Sequence, residues 1–240
     1  MAVRGYIFDY GGTLDTGGCH WGKTFWHAYE RMGAPVGWMQ FREAYIHTER
    51  YLGSHEVITP QHTFRQTLQT KLDVQTDYLC NNGDWHLDER QRGDICRRLY
   101  DDLYNEVIRQ TAFSRQVLNR LSESYPLALV SNFYGNLPTV LREFGLDTLF
   151  RTVVESAEVG IRKPDPQIFR LGVEALGLPP GEVTVVGDSI KKDILPAKAI
   201  GCRTVWLQGE GWDDHPGDTT APDRIITRLD QLLESPDESR

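Results

Sequence analysis

Four short stretches of this chain hold residue types that suit transfer of a phosphoryl group through a carboxylate. Phe8-Asp9-Tyr10-Gly11-Gly12-Thr13-Leu14-Asp15 ends an apolar run on an acid and follows it with two glycines and a hydroxyl. Ser131-Asn132 offers a hydroxyl and an amide, both able to donate to an anionic oxygen. Lys163 supplies a cation in Gly160-Ile161-Arg162-Lys163-Pro164-Asp165-Pro166, where two prolines stiffen the chain before a helix. Gly187-Asp188-Ser189 adds a carboxylate, with Asp193 five residues beyond Asp188. Carboxylates such as Asp9 and Asp188, with a backbone carbonyl and waters, make the all-oxygen octahedral site that Mg2+ prefers. The metal and Lys163 would neutralise the phosphoryl charge, while Thr13, Ser131 and the backbone N–H groups near Gly12 orient its equatorial oxygens. Asp9 is then free to attack, and Gly11 and Gly12 let the backbone come close in a turn.

Singly, each of these residues has an ordinary structural use. An acid after a strand caps a helix or forms a turn, Ser and Asn are common turn residues, Asp193 can cap its own helix, and a lone lysine is a solvated charge. Their order, each at the end of an apolar run, is what joins them.

The elements that must position them are read from two textures. From about residue 113 the chain alternates helical and strand patterns. Helical spacing over 115–125 is followed by a strand over 127–130, a helix over 137–144 stopping at Gly145, and a strand over 152–155. A helix over 166–175, a strand over 183–186, a helix over 193–200, a strand over 204–207 and a closing helix over 227–233 complete the series. Short apolar strands separated by helices predict an α/β fold, a Rossmann-like parallel sheet with helices on both faces. In such a sheet ligands bind outside the carboxyl ends of the strands, where all four stretches fall.

Residues 16–110 read instead as an inserted all-α domain. Trp21, Phe25, Tyr29 and Met32 form one helical stripe, Trp38, Phe41, Tyr45 and Leu52 another, and Cys96, Leu99, Leu103 and Val107 a third within a helix near 89–109. Asn81-Asn82-Gly83-Asp84 marks a loop before that helix. The division expected is therefore a core of residues 1–15 and 111–240 and a helical insertion of 16–110, with a polar tail at 235–240. Trp21, Trp26, Trp38 and Trp85 in the insertion are either core or a stacking surface for a ring.

The chain has 240 residues and a formal net charge of −8, which gives no electrostatic footprint for nucleic acid or an anionic membrane. The four cysteines are scattered without metal-ligand spacing, and the N-terminal apolar run is short. A cytoplasmic protein with free thiols is expected, and its oligomeric state is not readable from the sequence.

Phe8-Asp9-Tyr10-Gly11-Gly12-Thr13-Leu14-Asp15, Leu129-Val130-Ser131-Asn132-Phe133, Gly160 to Phe169 and Val185 to Asp193 together resemble the four successive motifs of the haloacid dehalogenase (HAD) superfamily. The insertion is similar to that superfamily's α-helical cap. The resemblance implies that Asp9 is the nucleophile and a Mg2+ ligand, and that the carbonyl of Gly11 is a second ligand. It implies phosphoryl contacts for Ser131, Asn132 and Lys163, metal binding by Asp188, and a role for Asp193 as ligand or as partner of a ligand. A Mg2+-dependent phosphatase of a small phosphorylated metabolite, working through an aspartyl-phosphate, is the activity so implied.

The chain departs from that pattern at one place. Phosphatases of the superfamily carry a second Asp two residues after the nucleophile as general acid and base, and here Gly11 holds that position. Such assistance is typically worth about 10²–10⁴ in rate. His20 or His27 is a candidate replacement, or the leaving group needs no acid. Alternatively the enzyme cleaves a carbon–halogen or carbon–phosphorus bond, the latter needing Lys23 or Lys71 as a Schiff base, or the chain is a weakly catalytic binding protein.

Overall fold

The structure, a computed structural model, describes residues 2–83, 85–212 and 217–234. Asp84 and the expected tail at 235–240 lie outside the described residues.

Strands β1 (Gly5–Phe8), β2 (Leu127–Ser131), β3 (Thr152–Glu155), β4 (Val183–Gly187), β5 (Arg203–Leu207) and β6 (Arg224–Ile226) form one six-stranded sheet. Every pairing is parallel, and the order is β3-β2-β1-β4-β5-β6. β2 and β4 are buried at every position, as parallel strands covered on both faces must be. Alternation along the strands divides the core in two. Ile7, Ala128, Val130 and Val185 pack with Ile168, Phe169 and Val173 of α7 (Gln167–Leu176). Phe8, Leu127, Leu129 and Val186 belong to the other cluster, with Val117, Leu118 and Leu121 of α4 (Glu89–Ser122) and Leu137 and Val140 of α5 (Leu137–Glu143).

Between β1 and β2 the chain inserts α1 (Trp21–Arg31), α2 (Trp38–Ser54), α3 (Phe64–Asn81) and most of α4. α3 and α4 each start with a reciprocal capping box, Thr63 with Gln66 and Asp88 with Gln91, which satisfies donors that a helix start leaves open. α4 runs for 34 residues without a break and joins the helix expected near 89–109 to the one expected over 115–125. Residues 110–114 contain neither Gly nor Pro, and Thr111 and Ser114 are buried against the fold, so nothing stops the helix. Residue 110, where the sequence suggests a return to the core, thus lies inside α4. Trp26, Trp38 and Trp85 pack on Phe41 and Tyr29 inside the insertion.

Two other elements differ from the sequence expectation. The closing segment is the short strand β6 followed by a 3-10 turn, Leu229–Leu233. The helix expected over 193–200 is a π turn, Ile190–Ile194, leading into α8 (Leu195–Ala199). A single-turn helix, α6 (Ser156–Val159), follows β3. All four cysteines are free thiols, and no described helix is long and apolar enough to cross a membrane.

Candidate active site

The strand next in sequence to β1 lies on one side of it and β4 on the other, so the chain leaves the carboxyl end of β1 at the point where the winding reverses. Asp9, Ser131 and Asp188 sit at the carboxyl ends of β1, β2 and β4 and meet there. They line a cleft of about 440 Å³ between the sheet edge and the inserted helices.

The Lys163 ammonium is the hub. Its Nζ donates to Asp9 Oδ1 at 2.5 Å and to Asp193 Oδ1 at 2.7 Å, with all three side chains buried. Ser131 Oγ donates to the same Asp9 oxygen at 3.2 Å. Thr13 Oγ1 lies 3.3 Å from Asp9 Oδ2 and 3.0 Å from Asp188 Oδ1, and accepts the Asp188 backbone N–H at 3.0 Å. The π turn brings Asp193 back over β4, where its Oδ2 accepts the Ser189 N–H at 3.0 Å. Asn132 clamps the Lys163 backbone from both sides: its Oδ1 accepts the Lys163 N–H at 2.9 Å and its Nδ2 donates to the Lys163 carbonyl at 3.1 Å. The amide therefore sets the lysine's position while lining the cleft.

Two glycines allow this packing. Gly12 has φ +99°, and a Cβ there would come within 2.6 Å of the Asp188 carboxylate. A Cβ at Gly187 would come within 2.5 Å of Asp193 Cβ. Side chains at either position would push apart the carboxylates that the fold gathers.

Carboxylate oxygens of Asp9, Asp188 and Asp193 lie within 4.8 Å of one another. Burial and the neighbouring Asp193 and Asp9 charges raise Asp188 well above the usual carboxylate range. Burial also raises Asp193, despite the opposing ammonium. Burial alone would lower Lys163, but Asp193 and Asp9 outweigh it and hold the lysine above its ordinary value. One ammonium against three carboxylates leaves the buried cluster with excess negative charge and only oxygen donors. That donor set fits a hard divalent cation.

Gly11 lines the cleft, and its missing side chain has room: among the described residues a Cβ there would meet only Trp21 Cδ1 and Nε1, both at 3.8 Å. Trp21, of the four insertion tryptophans, lines the cleft. Sequence reasoning does not single out Asp15, which fixes that indole. Asp15 is fully buried; it accepts the Gly12 N–H at 2.8 Å and the Trp21 Nε1–H at 2.9 Å. Burial pushes its carboxyl up to about 7, against those two hydrogen bonds. The only sequence signal for it is an acid between a Gly-Gly turn and an aromatic helix start, which many loops share.

The two candidate histidines part company. His20 lines the cleft beside Tyr45 and Trp212, and its Nδ1 accepts the Gly22 N–H at 3.0 Å to cap α1. His27 is half-buried, outside the cleft lining, and bonds Glu30 and Glu210. Lys71 lines the cleft, whereas Lys23 pairs with Glu210 at 3.8 Å beside Trp38 and does not.

The fold and the site define a doubly wound α/β protein with a carboxylate–lysine centre at the switch point of its sheet. The family model for haloacid dehalogenase-like hydrolases matches residues 3–201. The chain belongs to that family. It is similar to a phosphoserine phosphatase of Thermus thermophilus, 42% identical over 85 residues, 34% of this chain and 33% of that protein. It is also similar to a glyceraldehyde 3-phosphate phosphatase of Pyrococcus furiosus, 34% identical over 131 residues, 53% of this chain and 54% of that protein. The matches thus span a third to about half of those relatives' lengths. Among solved structures, a dehalogenase with an intermediate complex superposes with a TM-score of 0.65 at 20% identity, over 97% of this chain and 96% of that one. That likeness concerns the fold.

Proposed function

We propose that the protein is a Mg2+-dependent phosphatase that removes the phosphoryl group of a small metabolite through an aspartyl-phosphate on Asp9. The observation that carries the reading is the Lys163 ammonium shared between Asp9 and Asp193, beside Asp188, at the carboxyl ends of β1 and β4. The phosphatases among its relatives support the same chemistry.

Asp9, Asp188 and the Gly11 carbonyl would hold Mg2+, with Asp193 as ligand or as the group that positions Lys163. When bound, the ion supplies charge neutralisation to the phosphoryl oxygens. Asp9 attacks phosphorus in line, forming the Asp9 O–P bond as the bond to the leaving oxygen breaks. Lys163, Ser131, Thr13 and the N–H groups of the turn at Gly12 stabilise the equatorial oxygens, and Asn132 keeps Lys163 in register. Water then attacks the aspartyl-phosphate, restoring Asp9 and releasing inorganic phosphate. The inserted helices act as a cap that excludes water and selects the leaving group. With Gly11 offering no proton, substrates whose leaving oxygen is already a weak base react fastest.

The structure weighs against the carbon–phosphorus alternative. A Schiff-base lysine must be neutral to attack, but Lys71 is held above its ordinary pKa: Glu49 beside it outweighs the effect of burial. Carbon–halogen displacement needs no divalent cation, so a carboxylate cluster that fits one favours phosphoryl transfer. The test is a panel of alkyl, aryl and acyl phosphates and 2-haloacids, with and without Mg2+. Phosphate release that needs Mg2+ and vanishes in Asp9→Asn is expected. Halide release, or no turnover above the Asp9→Asn control, would overturn the reading.

A further inference from the structure

The roof of the cleft carries a cation that the chemistry at Asp9 does not use. Lys71, on α3, lines the cleft with a side chain 12% exposed. Its Nζ lies 2.7 Å from Glu49 Oε1, and the other Glu49 oxygen accepts the Tyr134 hydroxyl at 2.8 Å. The rest of the ammonium faces rings: Tyr134 at 5.2 Å, Trp21 at 5.7 Å and Phe25 at 5.9 Å. An ammonium has three donors, and this one is paired with a single carboxylate.

The cleft's charge balance points the same way. Beyond the Asp9 centre, its described lining residues include Arg50, Lys71, Arg162 and Lys192 and, among those described residues, one acid, Glu49. Arg50, Arg162 and Lys192 are exposed and make no ion pair within the described residues. A cationic mouth on a chain of net charge −8 is a local feature, not a reflection of composition.

We propose that this half of the cleft is a subsite for a carboxylate on the leaving group, seated on Lys71, so that the substrate is a small phosphorylated carboxylic acid. The proposal rests on the phosphatase reading. The aromatic walls lower the local dielectric and so strengthen the ammonium–carboxylate attraction. Glu49 takes part of the Lys71 charge, which suits a singly charged carboxylate better than a second phosphate, whose greater charge it would repel. Arg50, Arg162 and Lys192 would draw such a dianionic or trianionic molecule toward the opening.

The test compares two unhydrolysed analogues, phosphonoacetate and ethylphosphonate, by calorimetry in the presence of Mg2+. In the wild-type protein phosphonoacetate should bind at least about tenfold more tightly. Lys71→Met should bring the ratio of the two affinities toward one. Glu49→Gln, which frees the ammonium from its competing carboxylate, should widen it. These opposite shifts are not expected of an ion pair that only supports the fold. If Lys71→Met does not fold, the Glu49→Gln ratio decides. A wild-type ratio near one, or a ratio that Lys71→Met leaves in place or Glu49→Gln fails to raise, would overturn the subsite alone. If both analogues and inorganic phosphate fail to bind, the phosphatase reading falls and the subsite with it.

Discussion

Trp21 donates its indole N–H to the buried carboxyl of Asp15 at 2.9 Å, and the same indole edge lies 3.8 Å from where a side chain on Gly11 would begin. The space left by the absent acid is therefore bordered by a ring that a residue of the same loop holds in place. With its N–H committed to Asp15, Trp21 limits the room at Gly11 without acting as a proton donor there.

Gly11→Asp tests that relationship. A Cβ fits at ordinary contact distance, so the variant should fold like the wild type. Its kcat/KM should rise about tenfold or more on alkyl phosphates and much less on aryl phosphates, since only the former need a proton at the leaving oxygen. Equal changes on both would show that proton delivery is not what limits the rate.

Asp15 makes stability depend on pH. Its folded pKa, about 7, lies above its ordinary value of 3.8, so the folded state holds the proton more tightly than the unfolded state does. Its contribution is full below the ordinary value and is lost as pH rises through 7. Between these limits the wild type should lose up to about 1.4 kcal/mol per pH unit more than Asp15→Asn. Denaturant unfolding of both proteins across that range measures the difference; parallel pH profiles would refute it.

Divalent metal should stabilise the protein, because the carboxylate cluster carries charge that Lys163 alone does not balance. Mg2+ at about a hundred times its Kd would add about 2.7 kcal/mol. Thermal unfolding should show Tm rising with Mg2+ and falling back with a chelator. Asp188→Asn should remove most of the rise. A Tm indifferent to Mg2+ in the wild type would sink the metal assignment.

Glu143, on α5, should anchor the start of α3. Its carboxylate accepts the N–H groups of Phe64 and Arg65 at 2.5 and 3.3 Å and the Tyr104 hydroxyl at 2.7 Å. Glu143→Gln keeps the shape but loses the charge and one acceptor, and should cost about 1–2 kcal/mol in denaturant unfolding. No change in midpoint would show that water replaces these contacts without loss.

Residues at strand ends are the legible part of this chain. The strands leading to Asp9, Ser131 and Asp188 are deeply buried and so read as short apolar runs, and the residues just after such a run in a parallel sheet face the ligand edge. β6 escapes sequence reasoning because an edge strand of three residues, with Ile225 exposed, has too little alternation to show. α4 reads as two helices because hydrophobic spacing lapses around Thr111 and Ser114, polar residues buried by tertiary contacts. Asp15 and the Glu49–Tyr134 bond are hidden for a different reason. A carboxyl's partner 85 residues away, or an indole aimed at an acid from the next helix, leaves no local pattern.

Ser114, in the C-terminal part of α4, donates to the Leu14 carbonyl at 2.7 Å and so fastens the long helix to the loop that carries Asp9. Geometrically, that bond would serve the helix as a fulcrum close to Asp9. At 1.5 Å of rise per residue, a tilt of about 10° at Ser114 would swing the far end at Glu89 through roughly 6 Å. α3, packed along α4, would carry Lys71 with it. Any tilt of α4 about Ser114 would thus be magnified along the helix into the roof of the cleft.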